Sequence, residues 1–205
     1  MTAFLFDLDR TLVDCQSYTD YRAALADVEG MIGSWDDPPT PPTGWSGETR
    51  RAMGILVALS GDPRWRAVSD AIDAHEREAI PRTVAMPGVH GALRLVGKRP
   101  AAVVTLLTDA TARSVLDHHG IGIEIVVGRR PHLAMKPAPD QLIEATRQLG
   151  VEPYEVVMIG DSAWDASASE AAGCRFIGVT NGKPSEFQAG VEVAATVDEA
   201  VRLVG

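Results

Sequence analysis

Four carboxylates in this chain are spaced as a reaction would need them, not as a solvated surface would. Asp7 and Asp9 stand in Phe6-Asp7-Leu8-Asp9-Arg10-Thr11-Leu12, and Asp161 and Asp165 share Gly160-Asp161-Ser162-Ala163-Trp164-Asp165. Like charges in so short a turn repel one another. Each pair makes sense if a divalent cation and a phosphoryl group lie between the acids. Taken alone, an Asp-X-Asp is more ordinarily a solvated turn or a helix cap. Hard oxygen ligands from two chain segments suit Mg²⁺, which keeps several waters and needs few protein carboxylates. Phosphoryl transfer also needs a cation besides the metal. Lys136, in Ala134-Met135-Lys136-Pro137-Ala138-Pro139-Asp140, could supply it, although a lone Lys before a Pro-initiated helix is usually a surface residue. Thr105, at the end of Val103-Val104-Thr105, offers a hydroxyl, with Thr108 close behind as a rival for that role.

These residues follow short apolar runs: Ala3–Phe6, Ala101–Thr105, Ile123–Val127, Val156–Ile159 and Phe176–Val179. Runs of that length ending in polar or Gly-containing turns read as buried strands. Between the later ones lie helical patterns over Ala110–His118, Pro139–Leu149 and Asp165–Ala172. Strands alternating with helices predict an α/β fold, a doubly wound, Rossmann-like parallel sheet with helices on both faces. In such sheets the ligand sits beyond the carboxyl ends of the strands, at a topological switch point. Gly160 is expected to permit a tight turn there. Cys15 to Met86 reads differently, with no strand-like run, a Pro-rich loop at Asp36–Pro42 and at least two helical patterns. Within Arg64–Ile80, Trp65, Val68, Ile72, His75 and Ala79 recur at helical spacing as one stripe for burial. The chain therefore divides into a core of residues 1–14 and 88–205 and a small α-helical cap of residues 15–87. Hinges are expected near Val13–Ser17 and Pro81–Gly88.

The order of these motifs, each at a strand's carboxyl end, resembles the haloacid dehalogenase-like hydrolase superfamily, in particular its phosphatases with a helical cap after the first motif. The resemblance covers nearly the whole chain, including Met86-Pro87-Gly88-Val89 and Gly178-Val179-Thr180-Asn181-Gly182. It implies Asp7 as nucleophile, Asp9 as general acid and base, Thr105 as phosphate ligand and Lys136 as anchoring cation. It implies Mg²⁺ held by Asp7, by Asp161, by Asp165 directly or through a partner, and at Asp9 through the backbone carbonyl. Arg10, Thr11 and Leu106, beside these residues, are the expected substrate contacts. Two positions depart from the family's pattern: Arg10 stands where Gly is usual, and Leu106 follows Thr105 where Asn is usual. Neither removes a nucleophile, acid or metal ligand, so what they bear on is the substrate.

The implied reaction is hydrolysis of a small-molecule phosphate monoester through an aspartyl phosphate. A carboxylate at Asp9 favours phosphoester chemistry over halide displacement, whose leaving group needs no acid. No Lys lies between Cys15 and Met86, which disfavours a Schiff-base lysine from the cap. The alternatives are a sugar-phosphate mutase and a non-catalytic phosphate-binding protein. Arg129, Arg130 and His132 read as solvated loop residues or as partners of Arg10 around a second anionic group of the substrate. Trp35 and Trp45 flank the Pro-rich loop and could line a substrate face, whereas Trp164 reads as packing.

Composition narrows the partners. A net charge of −9 opposes a nucleic-acid surface. No apolar stretch approaches the roughly 20 residues a membrane span needs, and the first residues lack the pattern of a signal peptide. Cys15 and Cys174 have neither zinc nor disulfide spacing. A cytoplasmic location with reduced thiols is the expectation.

Overall fold

The structure is a computed structural model, and it describes residues 2–33, 40–185 and 187–205. Strand β1 (Ala3–Phe6) is apolar and buried along its length, as a central parallel strand covered on both faces must be. Its side chains alternate. Phe4 and Phe6 enter one hydrophobic cluster, and Ala3 and Leu5 enter another. On one side β1 pairs in parallel with β4 (Ala101–Thr108), on the other with β6 (Val156–Gly160). β5 (Ile125–Arg129), β7 (Arg175–Val179) and β8 (Glu192–Ala194) complete a sheet of order β5-β4-β1-β6-β7-β8, parallel throughout. Helices α4 (Val89–Val96), α5 (Asp109–His118) and α8 (Val197–Arg202) contribute Ala92, Val115 and Val201 to the cluster of Phe4 and Phe6. Helices α6 (Asp140–Leu149) and α7 (Ala163–Ala172) contribute Leu142 and Ala168 to the other. This is the doubly wound α/β sheet expected from the apolar runs. The order reverses around β1, which puts the switch point at Asp7.

A helical insert leaves this core just after β1. Its two connections pair with each other as an antiparallel ribbon of β2 (Val13–Asp14) and β3 (Val84–Ala85). Sequence periodicity gave no sign of it, because two-residue strands are too short to show one. Helices α1 (Tyr21–Ile32), α2 (Gly47–Ala58) and α3 (Trp65–Ala79) surround a cluster that includes Val28, Ile55, Leu56 and Ile72. Asp20 and Ser46 start α1 and α2 by accepting from the N–H groups of Ala23 and Thr49. In α3, Trp65, Val68, Ile72 and Ala79 are buried as the stripe requires. His75 departs from it: the ring turns outward to Asp27 at 2.8 Å, while Ser69, Asp73 and Glu76 take the buried positions. Among the described residues no helix is long and apolar enough to cross a membrane.

Two strand ends differ from expectation. β4 continues past Thr105 to Thr108 with an irregular register, and β5 ends at Arg129, so Arg129 belongs to a strand and not to a solvated loop. Gly128 allows this. A Cβ there would lie 2.5 Å from the Leu107 carbonyl oxygen.

Candidate active site

Asp7 is the first residue beyond β1, and its N–H still donates to the Ile159 carbonyl at 2.9 Å, which fixes the turn to the neighbouring strand. The carboxylate is held from both sides. Lys136 Nζ donates to Oδ1 at 2.6 Å, and Thr11 Oγ1 stands 3.4 Å from Oδ2. Lys136, buried to 1% exposure, also donates to Asp165 Oδ1 at 2.6 Å and to the Val104 carbonyl at 2.9 Å. Three bonds use all the protons of an ammonium. Burial works against that charge, but Asp165 and Asp7 outweigh it and hold the pKa of Lys136 above the ordinary lysine value.

Asp9 is tied elsewhere. Its Oδ1 accepts from the N–H groups of Cys15 at 2.8 Å and Gln16 at 3.0 Å, at the start of the insert. The residue lines the cavity together with Asp7 and Asp161. Burial raises Asp9 to about 6 against the pull of those N–H groups. Burial likewise raises Asp7 to about 7, against Lys136 and with help from Asp165. Asp161 is pushed well above the ordinary carboxylate range by burial and then by Asp7, Asp165 and Asp9. Carboxylate oxygens of Asp7, Asp161 and Asp165 lie within 4.8 Å of one another, a grouping that could hold a divalent cation.

The last strand of the motif set, β6, delivers Asp161 through Gly160. The glycine's role is space, since its φ is not among the positive ones. A Cβ on Gly160 would fall 2.6 Å from Asp165 Cγ. Asp165 is fully buried in the first turn of α7, where Ser162 N–H and Oγ–H donate to its Oδ2 at 3.1 and 2.6 Å. With Oδ1 on Lys136 and Oδ2 on Ser162, Asp165 is placed to hold the lysine. Thr105, 1% exposed, accepts from the Leu107 N–H through its hydroxyl at 3.2 Å, which leaves its own proton free. Thr108 is turned away. It caps α5 and donates to Asp73 of the insert at 2.6 Å.

Of the expected substrate contacts, Arg10 and Leu106 line the narrow cavity beside Asp7, whose volume is about 30 Å³. Thr11 does not. It is wholly buried with its hydroxyl toward Asp7, which makes it a support for that carboxylate and not a substrate contact. Arg10 has φ 57°, in the left-handed region where Gly is free and other residues are strained. Asn181 holds the loop by donating to the Arg10 carbonyl at 2.8 Å. Arg129 also corrects the sequence reading. It is 2% exposed and bonded to the insert, so it reaches no substrate, while Arg130 pairs with Asp109 at 2.7 Å.

The insert closes the cavity with Gln16, Tyr21, Trp45, Thr49 and Met53, none charged. Trp164 lines it as well and donates to the Pro41 carbonyl at 3.0 Å, with its ring 4.9 Å from that of Trp45. Trp45 therefore faces the site, and Trp35 lies outside the described residues. Gln141 was not legible as part of the site. Wholly buried, it accepts from Lys136 N–H at 3.0 Å and donates to the Thr105 carbonyl at 2.8 Å, tying two motifs together. Its place at the start of a helix just after Lys136 was the only available signal.

A family model for haloacid dehalogenase-like hydrolases matches residues 1–173. The chain belongs to that family. A phosphoglycolate phosphatase of Pseudomonas putida is 31% identical over 195 residues, spanning 87% of this chain and 69% of its own length. A fructose-1-phosphate phosphatase of Escherichia coli is 27% identical over 184 residues, 76% of this chain and 95% of its own. Among solved structures, a hydrolase from Pseudomonas syringae superposes with a TM-score of 0.73 at 21% identity, covering 100% of this chain and 98% of its own. Within the haloacid dehalogenase-like hydrolases, this chain sits with phosphatases.

Proposed function

We propose that this hydrolase removes the phosphoryl group of a small phosphate monoester through an aspartyl phosphate on Asp7, using Mg²⁺ and a cap formed by residues 15–87. The observation that carries the reading is the clamp on Asp7: a buried nucleophile fixed by Lys136 and Thr11, facing a cavity that it shares with Asp9, Thr105 and Asp161. The metal fits the donor set. Asp7 and Asp161, with Asp165 beside them, are hard oxygen donors, and burial first, then neighbouring carboxylates, disfavours the charged forms of Asp7 and Asp161. When bound there, Mg²⁺ would cancel charge that otherwise repels an anionic substrate.

The chain's own residues divide the work. Asp7 attacks phosphorus as the bond to the leaving oxygen breaks, and protonated Asp9 gives that oxygen its proton. Asp9, then a carboxylate, takes a proton from the water that attacks the phosphorus, and Asp7 is released with orthophosphate. The Thr105 hydroxyl and the charge of Lys136 stand where equatorial phosphoryl oxygens gather negative charge. Arg10, at the cavity wall, is placed to take a second anionic group on the leaving portion, because its planar fork suits a carboxylate or phosphate.

The test is a panel of phosphate monoesters assayed for orthophosphate with Mg²⁺, with excess chelator, and with the metal restored. Release should match substrate loss, stop with chelator and return with Mg²⁺. Full activity in chelator, or isomerisation of a sugar phosphate without release, would overturn the proposal.

A further inference from the structure

Arg129 is a buried charged group that this chemistry leaves unused. It sits at the end of β5 with its side chain wholly out of solvent, and no part of it reaches the cavity. Its guanidinium is held by partners from both halves of the molecule. Nε donates to Ser69 Oγ at 2.9 Å and Nη2 to the Ser69 carbonyl at 2.9 Å, both in α3. Nη1 donates to Glu76 Oε1 at 2.9 Å, also in α3, and Nη2 lies 2.8 Å from Oε2 of the same residue. Nη1 also donates to the Leu106 carbonyl at 2.8 Å, in β4. Glu76 Oε1 accepts in addition from the Tyr21 hydroxyl at 3.2 Å, at the start of α1.

The ends of this chain of bonds are what give it meaning. Leu106 and Tyr21 line the active-site cavity, one from the core and one from the insert. A buried Arg–carboxylate ion pair whose guanidinium also donates to Ser69 and Leu106 holds its partners in one arrangement. A pair placed only to stabilise the fold gains little over apolar residues of similar volume, so its presence beside the site calls for another reason. We propose that Arg129 is a positioning residue that sets the separation of Tyr21 and Leu106, and so decides which leaving groups the site accepts. This rests on the phosphatase reading and adds a determinant of specificity that touches no substrate.

The experiment compares wild type with Arg129→Lys, which keeps the charge but cannot make the fork of bonds. Three readings are taken: kcat and KM for an ester with a compact alkyl leaving group, the same for 4-nitrophenyl phosphate, and the inhibition constant of orthophosphate. The ratio of kcat/KM between the two esters should shift about fivefold or more, mostly through KM. Orthophosphate has no leaving group, so its inhibition constant should move by less than roughly twofold. An unchanged ratio, or losses on both esters matched by weaker orthophosphate binding, would overturn the inference and return Arg129 to a purely structural role. If Arg129→Lys does not fold, the double variant Arg129→Met with Glu76→Met removes both charges together at similar volume, and the same ratio decides. Wild-type turnover is measured alongside: no release from any ester would count against the phosphatase reading itself, and not against Arg129 alone.

Discussion

At the scale of single residues, Lys136 and Arg10 show how chemistry and stability share side chains. Among the described residues, Lys136 is the one cation bonded to both Asp7 and Asp165. Removing one partner of a buried ion pair leaves uncompensated charge, at a cost of about 3–5 kcal/mol. Lys136→Met should therefore lower the metal-free protein's stability by that order, as read in urea melts, and Mg²⁺ should recover part of the loss because it neutralises the same acids. A loss under about 1 kcal/mol would mean that the acids do not depend on the lysine. Arg10 was legible as a departure from its family but not as a strained residue, since φ is not written in composition. Its left-handed backbone gives the usual Gly a conformational reason. Arg10→Gly relieves the strain while removing the guanidinium, so its Tm should hold or rise. Its kcat/KM should fall on a doubly anionic ester, by roughly 1.5–3 kcal/mol for a lost charge-assisted contact, and stay near wild type on an aryl phosphate. Equal losses on both would remove Arg10 from substrate binding.

At the scale of elements, the strands that carry Asp7, Thr105 and Asp161 were legible because each is an apolar run stopped by a polar turn. β8, the β2–β3 ribbon and the extension of β4 were not, because short or irregular strands depend on neighbours distant in sequence. The polar face of α3 was missed for a related reason. A stripe drawn from apolar residues cannot show that Asp73 and Glu76 are buried by partners such as Thr108, Thr111 and Arg129. The β6–α7 junction makes the most local demand. Gly160→Ala would set a Cβ 2.6 Å from Asp165, which closes the capping box of α7 with Ser162 and holds Lys136. Overpacking of this kind costs about 1–3 kcal/mol. Activity should fall further than stability alone explains, because the displaced Asp165 carries Lys136 with it. A variant with wild-type melting and wild-type kcat would show that the glycine is incidental.

At the scale of the whole molecule, a sheet that presents four motifs at one edge meets an insert that presents an uncharged wall. The inner cavity of about 30 Å³ shares Arg10, Trp45, Asp161 and Ser162 with an outer one of about 310 Å³. The inner space suits about two waters, and an ester would extend from it into the outer one. That arrangement was not readable in advance, since periodicity locates helices without saying what they enclose. The family, by contrast, was readable because its motifs fall at strand ends in a fixed order. Everything proposed for the reaction turns on Asp7 as the covalent nucleophile. The most direct measurement is orthophosphate release with Mg²⁺ by wild type and Asp7→Asn, on an ester that wild type hydrolyses. The amide keeps the shape but not the nucleophilicity, so the variant should melt as a folded protein and turn over at under about a hundredth of the wild-type kcat, roughly 2.7 kcal/mol of barrier. A folded Asp7→Asn enzyme that retains more than that fraction would contradict the nucleophilic role of Asp7.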